Sequence, residues 1–548
     1  MTATTTTGTS SDAADPARFR ILAADKLAKQ GLEWIQSQND AELVNKPGLS
    51  EEELARIAGE HDAMIVRSGV QVTRKVLENA GRLKVVARAG VGVDNIDLEA
   101  ATEKGILVVN SAEASTITTA EHAFTLLMAL ARNVGPAYKT MAEGGWDRSK
   151  FKGTQLHGKT LGVVGFGRIG RTVAERALAF GMDVVAYDPF YNAETALDGR
   201  VKMYQSFTDL LPHADILSFH VPLNEQTRGL LGKETFPQCR DGVLVVNAAR
   251  GGVVDEDALL EAVQSGKCGG AALDVYTREP LAEDSPLRKE PKILLTPHLG
   301  ASTIEAQQAV SIDAAAAALS YLRGEGVKGA VNAAGLRLDL SPAQERFADL
   351  AQRMARLISP MITEGIREIS LEVGGHELAS AAETLLRMAT ASLLSDHLSL
   401  PVNIINVLHV AEQRGIVCKS VKRDEEKYGP QIAMTVAGGE QVRRIVGRIY
   451  DDRRPRVVEI NGYHMDMVPE GHMVLVNNED RPGVIGLVGA ELGEAGINIA
   501  DMSISRRDSL ALMVLKVDGD PDDSVMNRLK ARPGILKVAK LKLPAEPA

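Results

Sequence analysis

Residues 160–188, TLGVVGFGRIGRTVAERALAFGMDVVAYD, restrict what this chain can fold into more than any other stretch. A short apolar strand runs into Gly165-Phe166-Gly167-Arg168-Ile169-Gly170, an amphipathic helix follows, and a second apolar strand ends on an acid, Asp188. Each part has a task in holding a dinucleotide. Gly165 permits a tight turn, Gly167 lets the backbone approach a pyrophosphate, and Gly170 lets the helix lie close on the sheet. The helix N-terminus then offers unpaired N–H groups and partial positive charge to the phosphates. Asp188 stands where a carboxylate accepts hydrogen bonds from an adenosine ribose diol and repels a 2′-phosphate, so NAD rather than NADP is expected. A merely structural glycine turn is the competing reading. Strand, glycines, helix, strand and terminal acid in one register favour the nucleotide.

At 548 residues the chain exceeds one hydrophobic core, and three or four domains are expected. A net charge of −10 leaves no basic surplus to displace counterions, which argues against nucleic acid as a partner. Cys239, Cys268 and Cys418 are widely spaced with no CxxC pair, offering neither a zinc nor a disulfide framework and fitting a reducing compartment. No structural metal is expected. Residues 1–18 carry no basic n-region and no apolar h-region, and read as a disordered tail rather than a secretory signal. No run approaches eighteen apolar residues, so no membrane span and a cytoplasmic location are expected.

Order should begin at Phe19. The runs at 62–69, 83–90 and 106–111 are β-branched and apolar, separated by helical or turn segments, as in a parallel α/β sheet. Ligands bind beyond the carboxyl ends of such strands, where Arg67, Ser68, Arg88 and the loop Gly90-Val91-Gly92-Val93-Asp94-Asn95 fall; these are anion-site candidates. Residues 115–133 predict a long helix, apolar on most sides and therefore buried within its domain or against another subunit. Beyond the glycine turn, strands at 215–222, 242–252, 269–276 and 292–300 extend a doubly wound sheet, with Asp255 as N-cap of a crossover helix. An Ala-rich helix from Thr303 to about Arg323 leads back to the first domain. Residues 340–370 and 377–400 read as helices around short strands, and 402–416 with the three runs after it as an α+β module with sheet-like alternation. Residues 472–543 follow the order βαββαβ of the ferredoxin-like fold, with Pro482 suited to a helix start.

Three strand ends in the cofactor half each present one charged or titratable group: Arg250, Glu279 and His298. Singly, each has a plain reading as a surface ion pair, a solvated acid and a structural imidazole. Together, on a sheet assigned to a dinucleotide, they form a hydride-transfer constellation. Oxidising a 2-hydroxy acid needs a base for the hydroxyl proton, a fixed cation for the carboxylate and developing carbonyl, and a group that orients the base. His298 can exchange a proton near neutral pH, Arg250 can grip a carboxylate with two parallel N–H donors, and Glu279 can fix the imidazole tautomer and favour the protonated ring.

Arg67-Ser68, ARAGVGVDNID (residues 87–97), GFGRIG, VNAARGG, LDVYTREP and TPHLGAST together closely resemble the D-isomer-specific 2-hydroxyacid dehydrogenases. Within that family the chain is similar to the long members that act on 3-phospho-D-glycerate, the entry step of serine synthesis. The resemblance implies a discontinuous, flavodoxin-like split substrate domain over 19–115 and 303–330, and a Rossmann-type NAD domain over 116–302. An α+β intervening domain over 331–468 and an ACT domain over 469–548 would follow. Catalytic roles then fall on Arg250, Glu279 and His298. NAD contacts fall on Arg168, Ile169, Asp188, Pro189, Ala248, Asp274 and His298 beside the glycines Gly165, Gly167 and Gly170, and substrate contacts on Arg67, Ser68, Arg88, Gly90, Val91 and Arg250. Val91 stands where some relatives have Thr, so a hydroxyl contact is absent, and Ala248 where some have Cys. In the terminal domain the resemblance implies an amino-acid effector, serine, at a subunit interface near Asp480, Pro482, Gly483 and Asn498, with Asn478 in addition, and a tetramer of identical chains. A plain strand-to-helix turn at 480–483 is the competing reading there. For the whole chain, reduction of glyoxylate or 2-oxoglutarate, or a non-catalytic NAD- or amino-acid-sensing module, stay open.

Overall fold

The computed structural model describes residues 18–191, 193–398, 401–423, 429–439 and 441–545. The expected disordered tail lies, apart from residue 18, outside the described residues.

Two parallel sheets make up the first 330 residues. In the first, the strands run in the order Ala41–Asn45, Phe19–Ala23, Ala63–Val66, Val85–Arg88, Leu107–Asn110, all parallel. Helix Ile304–Arg323 buries Val310, Ala314, Ala315 and Ala318 among Ile21, Ile65, Ala87 and Leu107 of that sheet, so the chain does return to its first domain. Alanines suit this task, since small side chains bring a helix close to a sheet already filled with branched residues.

The second sheet has eight strands: Ile293–Leu295, Cys268–Leu273, Val243–Asn247, Ile216–Phe219, Thr160–Val164, Asp183–Tyr187, Val201–Tyr204 and Thr195–Ala196. All neighbours are parallel except the last pair. Strand order reverses between Thr160–Val164 and Ile216–Phe219, which opens a crevice at their carboxyl ends. Asp255 caps helix Glu256–Ser265 by accepting from the Ala258 N–H. Helix Thr116–Ala131 packs Ala120, Ala123, Phe124 and Leu127 against the sheet but leaves Ile117 exposed; Ser115 occupies its N-cap position without a side-chain bond. The short strands Ala41–Asn45, Val201–Tyr204 and Thr195–Ala196 were not expected, because runs of two to five residues are too short for a period to stand out.

The last third holds two more sheets. One is mixed, ordered Val417–Arg423, Glu368–Gly374, Gln431–Gly438, Gln441–Ile449, Pro455–Ile460, Tyr463–Met467, with only the first pair parallel. Helices Pro342–Ile358 and Ala382–Ser395 share its core. The first helix thus ends well short of Ser370, and residues 402–416 contain the helix Val407–Gln413, whose Val407, Val410 and Ala411 are buried at helical spacing. The terminal sheet runs Ile499–Arg507, Leu510–Val517, Gly471–Glu479, Ile535–Leu543, all antiparallel, with helices Val484–Glu494 and Asp523–Lys530 sharing its core. That is the ferredoxin-like order. Its first helix begins at Val484, with Gly483 (φ 94°) at the N-cap, so Pro482 precedes the helix rather than opening it. Among the described residues no helix is long and apolar enough to cross a membrane.

Candidate active site

The glycine turn meets the steric demands of a phosphate cradle. Gly165 has φ 93°, and a Cβ on Gly170 would lie 2.0 Å from the Gly165 carbonyl oxygen, so the helix can start this close to the strand only with glycine. A Cβ on Gly167 would meet nothing within 4 Å, leaving open space in front of helix Arg168–Ala179. Asp188 is tied to the turn: its Oδ2 accepts from the Phe166 N–H at 2.8 Å and its Oδ1 from the Phe190 N–H at 2.9 Å. Each oxygen keeps a lone pair for a ribose hydroxyl. Pro189 is exposed beside it, while the Arg168 guanidinium reaches away to Glu113 at 3.2 Å. These features fit an NAD adenosine and pyrophosphate. Asp188→Ala is expected to weaken NAD use and to raise relative NADP use at least tenfold, read as the ratio of kcat/KM for the two cofactors; an unchanged ratio removes Asp188 from the ribose.

Facing this turn is a cleft of about 690 Å³ lined by residues from both parallel sheets. It gathers Arg67, Ser68, Arg88, Gly90, Val91, Ile169, Ala248, Arg250, Glu279 and His298, residues spread over more than 230 positions of sequence. Three guanidiniums converge here. Burial, together with the charges of Arg67 and Arg250, pushes Arg88 down to about 10. Cations held this close favour an anion between them. Each is positioned by an uncharged or acidic neighbour. Arg67 donates to the Lys26 carbonyl at 3.2 Å and Arg88 to the Ala89 carbonyl at 2.7 Å. Arg250 uses Nε for Asp94 at 3.1 Å and Nη1 for the Ala249 carbonyl at 2.7 Å. A Cβ on Gly92 would sit 2.1 Å from Arg250 Nη2, so glycine clears the ground where that guanidinium ends.

Opposite stands the imidazole. His298 Nδ1 lies 2.7 Å from Glu279 Oε2, and Glu279 Oε1 accepts from the Tyr276 N–H at 3.1 Å. A carboxylate only accepts, so Nδ1 carries the hydrogen and Nε2 is the nitrogen left to exchange a proton. His298 itself sits in the left-handed region, φ 55°. Asp274 does not face the cleft: its side chain is 0% exposed and lies behind this loop. Burial pushes its carboxyl up, but bonds from His122, Thr296 and the Leu299 N–H outweigh that and hold it below the usual range.

Some lining residues carried only a weak signal in the sequence. Asp94 is one acid in a loop, and only its reach across the cleft to Arg250 distinguishes it. His220 and Pro222 end the strand at 216–219, where a polar residue closing an apolar run is the available clue. The His220 ring lies 2.9 Å from Ser218 Oγ, and burial pushes it down to about 4, so it stays neutral beside the cofactor turn.

The effector candidates are not gathered within one chain. Asp480 lies next to Ser509, before strand Leu510–Val517, with its carboxylate 3.4 Å from Arg506. Asn498 bonds Asp518, past the other end of that strand, at 2.8 Å. Strand rise separates the two by roughly 25–30 Å. Pro482 and Gly483 are exposed, whereas Asn478 is 3% exposed, with Nδ2 on the Glu479 carbonyl and Oδ1 without a partner. A ligand touching both ends needs a second copy of the domain.

Residues 124–300 match the D-isomer specific 2-hydroxyacid dehydrogenase NAD binding domain, 344–461 the D-3-phosphoglycerate dehydrogenase intervening domain, and 472–534 the ACT domain. The chain is 38% identical over 526 residues to a D-3-phosphoglycerate dehydrogenase of Methanocaldococcus jannaschii, covering 96% of this chain and 100% of that one. It is 36% identical over 530 residues to the Bacillus subtilis protein of the same name, with the same coverage. An NAD-dependent formate dehydrogenase from Staphylococcus aureus, solved with NAD, superposes with a TM-score of 0.51 at 30% identity, covering 57% of this chain and 98% of that chain.

Proposed function

Because this chain belongs to the family of D-3-phosphoglycerate dehydrogenases, we propose that it oxidises 3-phospho-D-glycerate to 3-phosphohydroxypyruvate with NAD, the first step of L-serine biosynthesis. The observation that carries this reading is the His298–Glu279 pair sharing one cleft with three arginines. A carboxylate and a phosphate monoester bring nearly three negative charges to a cleft that holds Arg67, Arg88 and Arg250, the last already paired through Nε with Asp94. A monoanion such as glyoxylate would leave Arg67 and Arg88 without a counter-charge, so the phosphorylated substrate is favoured over glyoxylate, and the substrate comparison below separates it from the dianion 2-oxoglutarate.

In this reading Arg250 holds the carboxylate and the developing carbonyl oxygen through its Nη1–Nη2 end, because Nε is committed to Asp94. Arg67, Ser68 and Arg88, with the Gly90–Val91 backbone, take the phosphate end. His298 Nε2 removes the hydroxyl proton, and Glu279 stabilises the imidazolium that results. NAD supplies the hydride acceptor; Gly165, Gly167, Ile169, Gly170, Asp188, Pro189 and Ala248 hold it, and Asp274 supports the loop from behind. Arg168, turned to Glu113, contributes its backbone N–H at the helix start.

The domain division proposed is 19–115 with 303–330 for substrate, 116–302 for NAD, 331–468 intervening and 469–548 regulatory. Serine would bind where Asp480 of one copy meets Asn498 of another, in a tetramer, an arrangement supported by the distance between those residues within one chain. The reading extends to a cytoplasmic location, supported by three free cysteines. The test is NADH formation from NAD and 3-phospho-D-glycerate, beside glycerate, glyoxylate and 2-oxoglutarate, with and without serine. Phosphoglycerate is expected to give the highest kcat/KM by at least tenfold, and serine to lower the rate. A flat substrate profile overturns the phosphate assignment, absence of any turnover the catalytic reading, and indifference to serine the effector site.

A further inference from the structure

The catalytic imidazole depends on a backbone conformation that most residues avoid. His298 has φ 55°, a left-handed turn that a residue other than glycine keeps only when its surroundings over-determine it. The surroundings are the buried Asp274. Its backbone oxygen accepts from the His298 N–H at 2.9 Å. Its carboxylate then takes the next two amides of the loop, Leu299 N–H at 2.8 Å and Gly300 N–H at 2.9 Å, so that one residue grips the turn on both sides of the histidine. A buried carboxylate can do this only if further donors compensate its charge. Thr296 Oγ1 donates to Oδ1 at 2.6 Å. The other partner comes from a different element: His122 Nε2, on helix Thr116–Ala131, at 3.1 Å from the same oxygen. His122 is mostly buried and lies outside the lining of the cleft.

We propose that His122 is a positioning residue for the dehydrogenase reaction: by donating through Nε2 to Asp274, it locks the carboxylate that holds the left-handed turn on which His298 is presented. The proposal rests on the reading of His298 as the base. Without the Nε2 donor, the buried Asp274 carboxylate keeps Thr296 and Leu299 on Oδ1 but loses one of its four donors, so its charge is less well compensated and it rotates or gains water, loosening the Leu299 and Gly300 amides. A loss of about 1 Å in placement of a catalytic group costs up to about a hundredfold in rate. NAD and substrate are held by other residues and should bind as before.

His122→Ala, His122→Gln and His298→Ala are compared in the full-length protein, by kcat per NADH-binding site, by KM for both substrates and by thermal melting. Gln carries a donor at the reach of Nε2. The expected result is kcat at least tenfold lower in His122→Ala, with both KM values within threefold, and recovery to within threefold of wild type in His122→Gln. If the alanine variant does not fold, His122→Leu, which fills the space without a donor, replaces it. Equal damage in Gln and Ala variants, or full kcat per binding site in Ala despite a lower melting temperature, overturns the proposal. Turnover surviving in His298→Ala overturns instead the reading it rests on.

Discussion

His298→Ala should lower kcat by about three orders of magnitude while leaving NADH binding intact. The geometry behind this is one-sided. Nδ1 is committed to Glu279, so the ring has a single free nitrogen, and His298 is the only imidazole of the cleft lining outside His220, which burial keeps neutral and bonded to Ser218. With His298 gone, Arg250 still holds the carboxylate and polarises the carbonyl, but the hydroxyl proton leaves only to water. Because position 298 is left-handed, His298→Asn is the proper companion: asparagine tolerates that conformation and separates loss of the base from loss of the turn. Both variants should bind NADH with wild-type fluorescence enhancement. A kcat within tenfold of wild type in both would falsify the assignment of His298 as base.

Arg250→Lys should lower kcat/KM for 3-phospho-D-glycerate by about a hundredfold, equivalent to ~2.7 kcal/mol of transition-state stabilisation. Charge is conserved in this exchange, so the effect isolates geometry. Arg250 uses Nε for Asp94 and Nη1 for the Ala249 carbonyl and still presents an Nη1–Nη2 edge; an ammonium has three donors on one nitrogen but no planar fork to meet both carboxylate oxygens with parallel N–H bonds. Both kcat and KM should move, because the same donors meet the carboxylate in the ground state and the developing carbonyl in the transition state. A lysine variant with an unchanged kcat/KM would show that Arg250 acts only as a distant charge.

The two variants also separate what can be read along the chain from what cannot. Gly165, Gly167, Gly170 and Asp188 are a local device: strand, turn, helix and acid follow within 29 residues, so their spacing alone carries the chemistry. Arg250, Glu279 and His298 are legible for a related reason, since each lies in the loop that follows a strand of the same sheet. The strands Ala41–Asn45, at a sheet edge, and Val201–Tyr204, next to one, were not legible, because four or five residues are too short a run for a period to stand out.

What the sequence by itself determined is therefore the dinucleotide turn, the acid Asp188 that follows it, and the residue types available for hydride chemistry. These depend on backbone sterics and strand ends, which act over a few residues. Only the tertiary structure decided that Asp274 stands behind the catalytic loop rather than on the cleft wall, and that His122 completes its hydrogen bonds from 152 residues away. It also decided that Asp94 reaches Arg250 across the cleft, and that Asp480 and Asn498 lie at opposite ends of one strand. The first three are matters of satisfying a buried or converging charge, and the partner that satisfies it is chosen by packing in three dimensions, where separation along the chain has no bearing.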